Sequence, residues 1–282
     1  MSIKSLYKFL SPKFQTIHLE YKVNPVPRFG WGKPAHEELY KIINSNRAVY
    51  SDLLKYYLQY KDVFRGIKTA DVETNEDIIA WNNGHLPGLD IIALYSLLNY
   101  FKPEKYIEVG SGNSTKVAHK SIKENNLKTI ITSVDPFPRA NIDHLANNVI
   151  RKPFEDIDYN FIFELKENDI LFIDNSHRAL PNSDVTVFFL EILHKLKPGV
   201  IVHIHDIYLP YDYPNFMTER FYSEQYLLAC YLLSNKDRFE VISPNFFISE
   251  DPELKEILND VWQSKELTNV EKHGGSFWMR VK

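Results

Sequence analysis

Apolar residues along the chain follow two regimes. Over the first 80 residues they recur at helical spacing twice, at 37–43 and 49–60, after a Pro- and Gly-rich stretch at 24–34, and no run reads as a strand. This predicts a helical extension or lid over 1–80. From 89 to 206 short apolar runs alternate with longer helical ones. Strands are expected at 106–109, 129–134, 148–151, 170–173 and 200–205, and helices at 91–100, 114–124 and 183–196. Such alternation makes a parallel sheet covered by helices on both faces, which binds ligands beyond the carboxyl ends of its strands. Past residue 210 an aromatic-rich loop and helix at 216–233 precede two more strand-like runs, 239–242 and 276–281, suited to a late hairpin. The expected main unit is one doubly wound α/β domain over 81–282.

Composition narrows the partners. The chain has 282 residues, 44% apolar and 25% charged, enough for one large domain with a cap. Its 33 Lys and Arg against 37 Asp and Glu give a net charge of −4 with no basic block, so nucleic acid is not an expected partner. No run approaches the roughly 18 apolar residues of a membrane span. Lysines break the apolar stretches of the N-terminus, M-S-I-K-S-L-Y-K-F-L, which therefore does not read as a signal peptide. Cys230, the single cysteine, excludes an internal disulfide and reads as a buried, inert thiol within the apolar run 226–233; a cytoplasmic location fits.

The strongest chemical signal is Y-I-E-V-G-S-G-N-S-T, beginning at Tyr106. A strand with an acid, Glu108, two residues before a G-x-G turn brings backbone amides and one carboxylate to the same point. Gly110 and Gly112 permit unusual backbone angles and close ligand approach. The first N–H groups of the next helix can receive polar ligand atoms, with Asn113, Ser114 or Thr115 as its cap. Asp135 ends the following strand 23 residues after Gly112, as expected for a carboxylate that binds ribose hydroxyls. Together these point to an adenosine-containing ligand. Thr115 stands where a dinucleotide fingerprint needs a third glycine. Glu108 also puts negative charge where a diphosphate would be repelled and a cationic amino-acid moiety favoured. The balance moves from nicotinamide and flavin nucleotides to S-adenosylmethionine.

E-V-G-S-G-N-S-T, S-V-D-P, D-I-L-F-I-D-N-S-H and L-K-P-G-V-I-V-H-I-H-D-I-Y-L-P, in that order and spacing, resemble class I S-adenosylmethionine-dependent methyltransferases. The likeness is to bacterial small-molecule methyltransferase-like proteins with I-D-x-S-H and H-D-I strand ends. It covers roughly residues 80–282, where E-Q-Y-L-L at 224–228 and G-G-S-F-W at 274–278 also fit. The resemblance implies a Rossmann-like, seven-stranded, mostly parallel sheet. It further implies that Glu108, Gly110, Ser111, Gly112 and Ser114 form the methionine-side loop, and that Asp135 with Pro136 holds the ribose. Segment 153–156 would flank the adenine, with Glu155 or Asp156 near its amino group, and Asp174 would stand beside the methionine moiety. The family's common third glycine is Ser114 here, a departure treated as tolerated.

A second cluster is open to three readings. Asp174, with Asn175, Ser176 and His177, ends the fourth expected strand, and His205 with Asp206 ends the fifth. Neighbouring strands lie about 4.8 Å apart, so both ends would face the transferred methyl group. A histidine can take the proton from a hydroxyl or amine as it attacks; His205 is the first candidate base and His177 the second, with Asp206 in the catalytic set. Asp174 and Asp206 could instead hold Mg²⁺, a softer metal recruiting His205, although no metal is assigned. The third reading is structural: Asp206 and His177 as caps, His203 as a core histidine. Trp81 to His85, 208–214 and the aromatic helix after them belong to the expected substrate side. The expected activity is methyl transfer to oxygen or nitrogen of a small-molecule acceptor, and a homodimer is compatible with it. Two rivals are a non-catalytic cofactor-binding module of the same fold and a nicotinamide-dependent oxidoreductase.

Overall fold

The computed structural model describes residues 3–138 and 140–282. Seven strands form one sheet: β1 (Lys105–Val109), β2 (Ile130–Val134), β3 (Asn148–Ile150), β4 (Ile170–Ile173), β5 (Ile201–Ile204), β6 (Phe239–Pro244) and β7 (Phe277–Val281), in the order β3-β2-β1-β4-β5-β7-β6. β7 runs antiparallel between β5 and β6. β4 and β5 are buried along their whole length, as continuous apolar runs in a doubly covered sheet should be. After β1 the chain adds β2 and β3 on one side, then returns to lay β4 on the other. The crevice at this reversal is where open α/β sheets bind ligands.

Register sets the edge of that crevice. Val109 lies opposite both Val134 and Ile173, and Ile173 opposite Ile204. The next residue of each strand, Gly110, Asp135, Asp174 and His205, therefore stands in one row. Backbone bonds extend the ladder through that row: Gly110 donates to Val134, Asp174 to Val109 and His205 to Ile173, at 3.0, 2.8 and 2.9 Å.

The helices form largely where periodicity predicts, with instructive differences. Gly88–Phe101 is apolar all round and correspondingly buried nearly all round. Glu37–Asn44 and Arg47–Tyr57 bury Leu39, Ile43, Tyr50, Leu54 and Tyr57 in the same core as the sheet. The helix Ile3–Leu10 is not anticipated by the pattern. The expected helix at 183–196 is realised as an α segment (Asp184–Val187), a π segment (Phe188–Ile192) and a 3₁₀ turn (Leu193–Lys195), with the adjacent Phe188 and Phe189 both wholly buried. The expected helix at 216–233 divides into Asn215–Thr218 and Glu224–Ser234. β6 and β7 pair antiparallel, but residues 245–276 separate them, so they are not a tight hairpin.

Cys230 is exposed, correcting the expectation of a buried thiol. Glu224–Ser234 buries Leu228 and Leu232, one turn apart, which leaves Cys230 on the opposite face. Among the described residues no helix is long and apolar enough to cross a membrane.

Candidate active site

The glycine turn is fixed from beneath by Glu108. Its carboxylate has no solvent exposure and accepts hydrogen bonds from Tyr106 Oη (3.3 Å), Ser114 Oγ (3.0 Å) and Thr115 Oγ1. Burial pushes this carboxyl up to about 7 against the pull of those three hydroxyls, with Asp174 adding a smaller upward push. Glu108 thus lies under the loop and does not line the cleft above it. Gly110 has φ +83°, and a Cβ there would lie 1.8 Å from the carbonyl oxygen of Asp174. Only glycine lets the β1 and β4 ends approach this closely. At Gly112 a Cβ would meet only open space, on the side of the smaller cavity over the turn.

Asp135, half-buried, ties the β2 end to the turn. Its Oδ2 accepts from Ser111 N at 2.9 Å and its Oδ1 from Phe137 N at 2.7 Å. Ser111 Oγ also bonds Ser133 Oγ beneath. A cleft of about 1300 Å³ runs past these residues, taking in Gly110, Ser111, Asp135 and Pro136, then Pro153 to Glu155, and on to Asp174. A smaller cavity of about 340 Å³ continues over Ser111 to Ser114 and is roofed by residues from the 70–86 segment. Asn83 latches that roof to the turn by accepting from Asn113 Nδ2 at 2.8 Å. The W-N-N-G-H segment therefore packs over the glycine turn, and its Gly84 and His85 also line the large cleft that reaches His205 and Tyr208. Of the expected adenine-side acids, Glu155 lines the large cleft and Asp156 does not.

At the other end of the row two imidazoles flank two carboxylates. His205 Nδ1 lies 3.6 Å from Asp174 Oδ1 and from Asp206 Oδ1, and His177 Nε2 lies 3.4 Å from Asp174 Oδ1 and 3.5 Å from Asp206 Oδ2. Each ring is anchored behind by a carboxylate without solvent exposure: His205 Nε2 to Asp90 Oδ2 at 3.3 Å, His177 Nδ1 to Glu224 Oε2 at 3.0 Å. Burial alone would drive both histidines toward the neutral form. The surrounding carboxylates outweigh it and hold both rings well above the ordinary histidine value. Asp174 is held below the usual carboxylate range by the same two rings, against the upward push of partial burial. His177 and Asp206 both adopt left-handed backbone angles, φ 61° and 54°, uncommon for residues with a Cβ and often found at functional sites.

Residues 107–207, from within β1 to just past β5, match a family model described as a methyltransferase domain. The match spans the five parallel strands, β1 to β5, whose ends include the row. Over about a third of the chain, these residues are thus similar to a methyltransferase domain. The chain is also 26% identical over 162 residues to an uncharacterized protein of Archaeoglobus fulgidus, covering 52% of this chain and 72% of that one. Solved structures of similar shape include a Podospora anserina methyltransferase bound to S-adenosylhomocysteine. It shows 15% identity, 90% and 100% coverage of the two chains, and a TM-score of 0.42. A second is an O-methyltransferase of Bacillus cereus in complex with S-adenosylhomocysteine, at 13% identity, 87% and 99% coverage and a TM-score of 0.40.

Sequence reasoning missed two residues that anchor the candidate site, Asp90 and Glu224. Asp90 stands among apolar helix residues and accepts from Gly275 N, Ser276 N and Asn245 Nδ2 at 2.7, 3.0 and 2.7 Å as well as facing His205. An acid inside an otherwise apolar helix was the available signal. Glu224 opens its helix, where an acid reads as an ordinary response to the helix dipole. His203 is a core residue: it stacks on Phe172 at 3.6 Å between ring centres, bonds Ser276 Oγ at 2.8 Å, and burial holds it neutral. Among the described residues no group of three or more His, Cys, Asp or Glu is arranged to hold a metal ion.

Proposed function

We propose that this domain binds S-adenosylmethionine across the glycine turn and transfers its methyl group to an oxygen or nitrogen of a small molecule, with His205 as proton acceptor. The residues suit that cofactor. Gly112 leaves open space above the turn, Asp135 keeps lone pairs free for ribose hydroxyls beyond its two backbone donors, and Glu155 lines the cleft at the expected adenine end. The cleft is large enough for a cofactor and a small acceptor side by side. Residues 70–86, latched through Asn83, would cover the methionine end. When bound, S-adenosylmethionine supplies an electrophilic methyl group on a sulfonium.

The observation that carries this reading is the anchoring of His205. Its Nε2 is committed to a buried carboxylate, Asp90, which leaves Nδ1 directed at Asp174 and Asp206 on the cleft. That arrangement fixes ring orientation and tautomer, the requirement for a base that takes a proton from an attacking hydroxyl or amine. Asp174 and Asp206 keep His205 protonated; a cation brought to Asp174 would weaken that hold, and the ring would release its proton more readily. His177 repeats the pattern with Glu224 and is the second candidate.

Calorimetry with S-adenosylhomocysteine and with NAD tests the cofactor half: the former is expected to bind, and binding of NAD alone overturns the reading. For the base, His205→Gln is expected to keep S-adenosylhomocysteine affinity but slow methyl transfer by about 100-fold or more. Undiminished turnover would remove His205 from that role.

A further inference from the structure

Carboxylates dominate the large cleft, and its two imidazoles of raised pKa, His177 and His205, are already taken up by Asp174 and Asp206. Asp135, Glu155, Asp174, Asp184, Asp206 and Glu271 line the cleft, while Arg178 and Arg220 are its only Lys or Arg among the described residues. The two guanidinium carbons lie 5.1 and 4.8 Å from the centre of the same ring, Tyr222. Elsewhere Arg47, Arg65, Arg151 and Arg280 each pair with a carboxylate, and Arg238, which has no side-chain ion pair, spends its guanidinium on main-chain oxygens; Arg28 also has no ion pair but lies outside the cleft. Arg178 and Arg220 form no ion pair with any described residue. Arg178 gives Nε to the Arg220 carbonyl at 2.8 Å and Nη1 to the Ser176 carbonyl at 3.3 Å, which leaves Nη2 uncommitted; the Arg220 guanidinium donates to no described residue.

Two cations gathered on one ring repel each other, and a stacked guanidinium keeps its in-plane N–H groups free for a planar or tetrahedral oxyanion. The place is held rigidly, because Ser223 N donates to the His177 carbonyl and Ala179 N to Ser223 Oγ, both at 2.9 Å. It also adjoins the reacting cluster: Tyr222 stacks on His177 with ring centres 4.8 Å apart. From this geometry, and resting on the methyltransferase reading above, we infer that Arg178 and Arg220 form the receptor for an oxyanion of the acceptor, a carboxylate or a phosphate. The acceptor is thus a small anionic molecule, gripped at Tyr222 with its nucleophilic atom turned toward His205. The acidic lining elsewhere would turn the same anion away from the cofactor end, which makes the binding direction unique.

The test uses the whole protein saturated with S-adenosylhomocysteine and measures the binding of benzoate, phenyl phosphate and the neutral benzamide at low ionic strength. At least one charged probe is expected to bind about tenfold or more tightly than benzamide, and which one leads tells carboxylate from phosphate. The preference should shrink at high salt and vanish in the Arg178→Gln, Arg220→Gln double variant, whose S-adenosylhomocysteine affinity should match the wild type. Equal binding of charged and neutral probes to the wild type, or a preference that survives both substitutions, overturns the inference. Should the double variant lose S-adenosylhomocysteine, the wild-type preference and its salt dependence decide alone. Failure of the wild type to bind S-adenosylhomocysteine counts against the methyltransferase reading instead.

Discussion

His205 Nε2 lies 3.3 Å from Oδ2 of Asp90, a carboxylate with no solvent exposure that sits 115 positions earlier in the chain. The contact joins the helix before β1 to the end of β5 and decides which imidazole nitrogen faces the cleft. Asp90 lines neither cavity, so in the proposed reaction it would act by positioning His205. It is held below the usual carboxylate range: burial opposes this, but His205 and the Gly275 amide outweigh it.

A base must be neutral to accept a proton, and His205 is held well above its ordinary value. Activity is therefore expected to climb as pH rises above about 6.5, with its midpoint on the alkaline side. Asp90→Asn removes one charge that favours the protonated ring, so this limb should move to lower pH while kcat on the alkaline plateau falls. A pH profile of kcat and kcat/KM checks both. An unmoved limb would reduce Asp90 to a structural role.

Gly110→Ala should be severe. The added methyl would collide with the backbone of Asp174, and the φ of +83° is strained for any L side chain. We expect a stability loss on the order of 2 kcal/mol or more by chemical denaturation, together with lost S-adenosylhomocysteine binding. Gly112→Ala provides the contrast: its Cβ meets nothing in the protein, so stability should hold while affinity falls, because the new methyl enters the smaller cavity over the turn.

How much of this was legible in the sequence depended on whether the signal was local. β1, β4 and β5 are apolar runs ending in polar residues, and that alone predicts Gly110, Asp174 and His205 at one edge. Their alignment in a single row is a property of register, which pairing fixes and sequence spacing does not. Asp90 and Glu224 escaped for the same reason, since each gains its meaning from a partner far along the chain. Glu108 was legible as important and misjudged in direction: nothing local reveals that Tyr106, Ser114 and Thr115 turn their hydroxyls onto it and draw it under the loop. Cys230 failed because an apolar helix with small residues does not announce which face it buries.

The position of Glu108 has a measurable consequence for stability. Its carboxyl titrates near 7 in the folded protein against an ordinary value of 4.5. Below the lower value both states hold the proton. Between the two the unfolded chain releases it and the folded chain does not, so stability falls as pH rises through that window and then levels off. The contribution is about 3 kcal/mol. Glu108→Gln removes it, so the stability of the wild type relative to this variant should decline from pH 4.5 to 7.5 in denaturant titrations. His177 and His205 weaken the fold in the same direction above about pH 6.5, as stability gained from their raised values is lost. Comparison with the variant cancels their part. A constant difference between the two proteins across that range would show that Glu108 is not the buried acid responsible.

Asp135 supplies the last test, because its two tasks separate by substitution. Each carboxylate oxygen accepts one backbone N–H, from Ser111 or Phe137, and retains a lone pair for a ribose hydroxyl. Asp135→Asn turns one acceptor into a donor facing a donor, either Ser111 N or Phe137 N, and removes the charge. Asp135→Ala removes both acceptors but adds no opposed donor. Both variants should lose affinity for S-adenosylhomocysteine by about tenfold or more, the loss of one or two charge-assisted bonds. Because Asp135 is half-buried at the end of β2, unfolding stability should change far less than it does for Gly110→Ala. Unchanged affinity in Asp135→Ala would take this carboxylate out of the cofactor site and leave Asp135 as a loop tie between β1 and β2.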